Sequence, residues 1–260
     1  VDRQLALCEK HDLKAVVITN NAAPQDYDKL PTGPACWGYL LQDEPSVSEF
    51  AHLREKSDAL KKAQPDKFAY VNLLPQYVTP ERLEAKDYDD YVRRYCEEVH
   101  PSVLCMDHYP LFTPGADGRD AYCENLVYMR KHSLAFDIPF WNFFNIMPYG
   151  KHTDPSEAQV RWQIYTSLAY GAKGVLYFCY YTPVSDEFPK GGAIIARDGT
   201  KTRHWYQAQR INKQIKNLGL TLMKLTSTGV YRVRTGDKAV AALSGSPIRD
   251  LSGVDYDPQP

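Results

Sequence analysis

Apolar residues recur in two rhythms along the chain. Short, nearly continuous apolar runs, such as Ala15-Val16-Val17-Ile18, Phe68 to Leu74, Val103 to Met106, Phe140 to Met147 and Gly174 to Tyr181, read as strands covered on both faces. Between them the apolar positions return at helical spacing: Phe50, Leu53 and Leu60; Tyr88, Tyr91, Val92, Tyr95 and Val99; Leu126, Met129 and Leu134; Val160, Ile164 and Leu168. A first helix holds Leu5, Leu7 and Cys8 and stops near His11-Asp12, and the helix opening at Ser156 is closed by Gly171 as its C′ glycine. Strand ends fall near Asn20, Glu44, Pro75, Asp107, Asn145 and Tyr180. Their spacing is close to the roughly 30 residues of a βαβ unit.

This alternation predicts an α/β protein with parallel strands. Six units are visible and a closed barrel needs eight, so the expected fold is a (β/α)8 TIM barrel lacking its first two βα units in this chain. Val1 opening directly into a helical pattern agrees with a chain joined in mid-domain. A six-stranded open sheet is the alternative. The barrel is expected over residues 1–225. A short β-rich segment and polar tail follow over 226–260, with Tyr231 to Arg234 and Val240 to Leu243 as strands around Gly236-Asp237. An excursion with an Asp198-Gly199 turn precedes a final helix carrying Tyr206, Ile211, Ile215 and Leu218.

Charge narrows the partners. With 31 basic and 32 acidic residues and no basic run, nothing marks a nucleic-acid or anionic-membrane surface. The apolar runs are also far short of a bilayer span. The six cysteines form no CxxC pair, no zinc signature appears, and no strand is followed by a Gly-rich dinucleotide turn, so no cofactor or metal is expected. Tyrosine (19), phenylalanine (9) and tryptophan (4) are abundant, which suits a carbohydrate cleft, although the same residues fill ordinary cores.

The candidate chemistry centres on Cys36 to Ser46. Tyr39 to Leu41 reads as a buried strand ending in Asp43 and Glu44, with Pro45 and Ser46 starting a helix. Acids at that point either cap the helix or stand on the catalytic rim of a barrel, at the strand C-termini. The same rim would collect Asn20, Asn72, Asp107, His108, Tyr109, Trp141, Asn142, Asn145 and Tyr180 or Tyr181, with Trp37 as a further aromatic contact. Carboxylates move protons, amides bind hydroxyls and rings cover apolar sugar faces. Glu44, Asp43 and Asp107 are the catalytic candidates, and Asn20, Trp37, Asn72, His108, Tyr109, Trp141, Asn145 and Tyr180 the substrate contacts.

Trp37-Gly38-Tyr39-Leu40-Leu41-Gln42-Asp43-Glu44-Pro45, Asn72-Leu73-Leu74-Pro75, Asp107-His108-Tyr109-Pro110 and Leu168 to Phe178 resemble segments of barrel glycoside hydrolases, β-galactosidase-like members of the large retaining clan above all. The resemblance covers about Ala15 to Leu225. It implies Glu44 as acid/base at the end of strand four. It also implies a nucleophilic glutamate ending strand seven, where this chain has Trp141-Asn142-Phe143-Phe144-Asn145-Ile146-Met147 and no carboxylate. Adjacent Asp43-Glu44 resembles the hexosaminidases that use the substrate's acetamido group as nucleophile. The expected activity is glycoside hydrolysis on an oligo- or polysaccharide, with secretion or a periplasmic location to match. A catalytically silent carbohydrate-binding barrel is the rival, and a polysaccharide lyase, which would want a basic cleft, stands behind it.

Overall fold

The computed structural model describes residues 1–19, 22–113, 116–188 and 192–232. They form two compact units: Val1–Pro110 with Gly118–Phe143, and Leu111–Asp117 with the chain from Phe144 onward.

The first unit is a wall of parallel strands in chain order. After α1 (Asp2–Lys10), β1 (Ala15–Ile18), β2 (Cys36–Asp43) and β3 (Phe68–Asn72) pair in sequence. Leu73, just past β3, donates its N–H to the Cys105 carbonyl of β4 (Leu104–Asp107) at 2.8 Å, and β4 pairs with β5 (Phe140–Asn145) from Leu104↔Phe140 to Asp107↔Phe143. The strands form two three-stranded sheets, β1-β2-β3 and β4-β5-β6 (Gly174–Phe178); parallel neighbours in sequence order joined by helical crossovers fit part of a βα barrel. The crossovers are α2 (Phe50–Ala63), then α3 (Pro80–Leu83) with α4 (Tyr88–Val99), and α5 (Arg119–Phe136). Their apolar stripes bury Phe50, Leu53 and Leu60 of α2, Tyr91, Val92, Tyr95 and Val99 of α4, and Leu126 and Met129 of α5. Phe50 meets the Tyr91 and Tyr95 rings with centroids 5.5 Å apart. Each such side chain contributes about 1.5–3 kcal/mol by leaving water.

Strand β2 is irregular in a way that its composition does not show. Against β1 the register steps from Ala15↔Cys36 to Val16↔Gly38, leaving Trp37 as an extra residue. Against β3 it steps from Leu40↔Tyr70 to Gln42↔Val71, leaving Leu41 as another. Each bulge shifts the in–out alternation by one. Tyr39 points toward α2, its hydroxyl 2.8 Å from Gln64 Oε1. Without the Leu41 bulge Asp43 would share that face; with it, Asp43 turns to the other, beside Asn72.

Between the bulges, Gly38 lies against Phe68. A Cβ there would stand 2.2 Å from the Phe68 carbonyl oxygen and 2.9 Å from its ring. Gly38→Ala is therefore expected to lower stability by roughly 1–3 kcal/mol, read as a fall in the urea midpoint. An unchanged midpoint would mean that β3 moves aside at no cost.

In the second unit, α6 (Glu157–Ala169) starts at a Ser156/Gln159 capping box, β6 (Gly174–Phe178) follows, and α7 (Arg203–Leu222) is capped by the Thr202 side chain. Phe144, Ile146, Val160, Ile164, Ile194, Ala208 and Ile211 form its core. The Ile146 N–H donates to the Phe178 carbonyl at 2.9 Å, tying the chain after β5 to the end of β6. Gly171 (φ +98°) ends α6 as expected. Gly199 (φ +85°) makes the expected turn, with Ile195 bridging Lys201.

Several boundaries differ from the sequence reading. Strand β2 is longer than Tyr39 to Leu41, and α3 and a 3-10 helix at Pro24–Lys29 fall in stretches for which no element was expected. Strand β6 stops at Phe178 and is only half-buried along its length, so the expectation of two covered faces fails there. The division between the units falls inside β5, between Phe143 and Phe144. Residues 233–260, which hold most of the expected β-rich segment, lie outside the described residues. Among those described, no helix is long and apolar enough to cross a membrane.

Candidate active site

The site grows from three consecutive strand ends of the first unit. Asp43 ends β2, Asn72 ends β3 and Asp107 ends β4, and Asp43 and Asn72 are direct register partners. Asn72 Nδ2 donates to Asp43 Oδ1 at 3.1 Å. Glu44 follows Asp43 and is half-buried, with its carboxyl in hydrogen-bonding reach of Asp107. The Tyr109 and Asn72 side chains also hydrogen-bond Asp107.

Electrostatics follow from this crowding. Burial, and then the Glu44 charge, push the Asp107 carboxyl up to about 7, against the Tyr109 and Asn72 hydrogen bonds that favour its ionised form. The Glu44 carboxyl is raised too, by burial first and the Asp43 charge second, while the Arg82 charge and the Asp107 hydrogen bond pull it down. With both carboxyls raised, each holds its proton to higher pH than a free carboxyl does. Asp107 Oδ1 and Asn72 Oδ1 are buried and accept no hydrogen bond among the described residues. Buried acceptors of this kind call for a donor.

The chain holds Glu44 tightly. Its backbone is left-handed, φ +49°, a conformation that costs a non-glycine residue roughly 1–3 kcal/mol, and Pro45 disfavours the right-handed alternative. The Glu44 N–H donates to the Asn72 carbonyl at 2.8 Å, and the Tyr91 hydroxyl donates to the Pro45 carbonyl at 2.7 Å. Ser46 then closes a capping box with Glu49. Asp43 and Glu44 thus stand beside a capped helix start, but the cap itself is Ser46.

Other expected contacts sit elsewhere. His108 is 1 % exposed and is tied to α5. Its Nδ1 donates to Asn125 Oδ1 of α5 (2.9 Å), which also receives the Gln76 N–H (2.9 Å), and Asn125 Nδ2 donates to the Tyr88 hydroxyl (3.0 Å). Tyr77, not singled out by sequence, stands edge-on to His108, and burial first, then the Asp107 and Glu44 charges, push its hydroxyl up to about 12. Tyr109 is buried and acts on Asp107.

Trp37 and Trp141 are likewise displaced. They stack on one another with centroids 6.2 Å apart, both edge-on to Phe68, at or near the N-terminal ends of their strands. Six residues of strand, about 20 Å, separate Trp37 from Asp43. A strand end can be read from sequence, but depth along the strand is set by where pairing begins.

Asn145 and Tyr180 belong to the second unit, where Asn145 is fully buried and neither of its side-chain amide atoms has a partner among the described residues. Tyr180 is 63 % exposed, beyond the end of β6. Asn20 lies outside the described residues.

No protein-family model and no curated protein sequence matches the chain. Solved structures do match its fold. A glucosidase from Croceicoccus marinus superposes with a TM-score of 0.56 at 12% identity, over 82% of this chain and 52% of its own. The β-galactosidases of Marinomonas ef1 and Halorubrum lacusprofundi each give 0.51, at 15% and 18% identity over 69% and 78% of this chain. The chain spans only 29% and 30% of those two proteins. At such identities the fold is what is shared: the mixed α/β layout with parallel strands fits part of the TIM-barrel fold of these glycosidases.

Proposed function

We propose that this chain is the larger part of a (β/α)8 glycoside hydrolase domain and that Glu44 is its general acid/base, with Asp107 as the carboxyl that shares its proton. The observation that carries the reading is the gathering of Asp43 and Glu44 at the end of β2 and Asp107 at the end of β4, with Asn72 of β3 between them, where burial raises the Glu44 and Asp107 carboxyls. Protonating a glycosidic oxygen needs such a retained proton. Glu44 is the member that presents it, because Asp107 is the more deeply buried and is fastened by Tyr109 and Asn72. The unpaired Asp107 Oδ1 and Asn72 Oδ1 atoms suit the O–H donors of a sugar.

The two carboxyls are near enough for each to bear on the other's proton affinity. Glu44 and Asp107 are therefore best read as one acid/base unit on one side of the scissile bond. The nucleophile is then water or a group of the substrate. Substrate assistance is the second reading, favoured by Asp43: exposed, adjacent to Glu44 and oriented by Asn72 Nδ2, it is placed to orient an acetamido group.

Turnover of aryl glycosides with and without a 2-acetamido group, with product anomers followed by proton NMR, tests both. Cleavage confined to 2-acetamido substrates supports assistance. Binding of oligosaccharides by calorimetry without any turnover would replace the enzyme with the silent carbohydrate-binding barrel.

A further inference from the structure

Arg82 lies in the short helix α3, in a connection that carries no expected chemistry. The helix is fixed at both sides: the Thr79 side chain accepts the Arg82 N–H, and Leu83 is buried. From this base the guanidinium crosses to the β2 end, where Arg82 Nη2 donates to the main-chain carbonyl of Glu44 at 2.8 Å. This completes the pairing of the turn. The Glu44 N–H is held by Asn72, the Pro45 carbonyl by Tyr91 and the Ser46 N–H by Glu49 Oε2. Of these partners, Arg82 alone brings a charge-assisted grip from an exposed side chain.

We propose that Arg82 is a positioning residue for Glu44, gripping its carbonyl oxygen so that the left-handed turn presents the carboxyl to Asp107. The inference rests on Glu44 being the acid/base of the proposed hydrolase, but the contact itself does not. The geometry explains why the grip is needed. Glu44 is a non-glycine residue at φ +49°, so the turn is not its backbone's own preference. A freed carbonyl at this exposed edge would find water at little cost. What the contact supplies is orientation rather than stability. The same guanidinium also places a positive charge near a carboxyl that otherwise faces Asp43 on its own strand, Asp107 on β4 and Tyr77 in the β3–α3 connection.

The test compares Arg82→Met and Arg82→Lys with wild type, using the whole chain. Arg82→Met is expected to keep its circular dichroism and thermal midpoint close to wild type. Its Glu44 carboxyl, assigned by difference from Glu44→Gln and followed by 13C NMR, is expected to titrate at higher pH because a neighbouring cation has gone. On a glycoside with a poor leaving group kcat is expected to fall by about ten- to a hundred-fold with KM nearly unchanged, the signature of a misplaced catalytic group. Arg82→Lys restores the charge, and with it the titration, while recovering kcat only in part, since one ammonium does not reproduce the planar grip. A Glu44 titration identical in wild type and Arg82→Met overturns the proposal, as does an unchanged kcat. If wild type cleaves no glycoside, the hydrolase reading fails on its own, and the NMR comparison still decides whether Arg82 governs Glu44.

Discussion

Glu44→Gln is expected to lower kcat on glycosides with poor leaving groups by about 10²–10⁴-fold, the usual worth of a positioned general acid. Substrate affinity should change far less. Gln keeps the length and shape of the side chain but cannot carry the transferable proton. It also removes one of the charges that crowd Asp107. The variant should fold at least as well as wild type, so loss of turnover would not reflect loss of structure. Activated aryl glycosides, whose leaving groups need no protonation, should suffer least. Measuring kcat across a series of leaving groups decides the matter. A steep dependence on leaving-group pKa in Glu44→Gln, absent in wild type, identifies the acid. A uniform loss across the series, or none, would move the role elsewhere.

Asp107→Asn is expected to change the pH dependence of stability, and the sign follows from the direction of its shift. The folded carboxyl is held at about 7, above its ordinary 3.8. Asp107 therefore adds stability that is complete below pH ~4 and is lost as pH rises toward 7. About three pH units at ~1.4 kcal/mol each set an upper scale of roughly 4 kcal/mol. Solvent at the edge of the site reduces it, so a decline of about 2–4 kcal/mol is expected in wild type over this range. Glu44, also raised, contributes in the same direction. In Asp107→Asn most of that decline should vanish, leaving the variant more stable than wild type at pH 8 yet poor in turnover. Urea unfolding at pH 4, 6 and 8 measures it. Parallel curves for the two proteins would mean that Asp107 ionises freely in the fold.

What could be read from sequence divides along physical lines. The crossover helices and parallel strands were legible because burial repeats: Tyr91, Val92, Tyr95 and Val99 can share one helix face only if α4 covers a core, and all are buried. The Asp-Glu-Pro strand end was legible because proline and serine mark a helix start, and Ser46 does form the capping box. Asp107 and Asn72 were reached by the same reasoning, and the structure brings both to Asp43 and Glu44.

Depth and facing were not legible. A strand covered on both faces is apolar throughout, so its sequence does not say which residues look inward, and a bulge leaves no compositional trace. Trp141 was expected on the rim and Trp37 among the substrate contacts, and the two stack on one another near the starts of their strands; His108, also expected on the rim, is enclosed by Tyr77, Tyr122 and Asn125. Arg82 gave no signal at all. A single arginine in a four-residue helix resembles any solvated charge until its carbonyl partner is seen.

The two bulges in β2 carry a further meaning. Both extra residues are on the same strand, one against each neighbour, so the orientation of Asp43 depends on the number of residues between Cys36 and Gln42 more than on their chemistry. Substitutions that keep this length can drift, whereas loss of a single residue would remove one bulge, leave the other and shift the facing of every later position by one. In lineages carrying this arrangement, the segment should tolerate changes of letter and resist changes of length, while the connection holding Pro80–Leu83 can vary in length as long as one cation still reaches the Glu44 carbonyl.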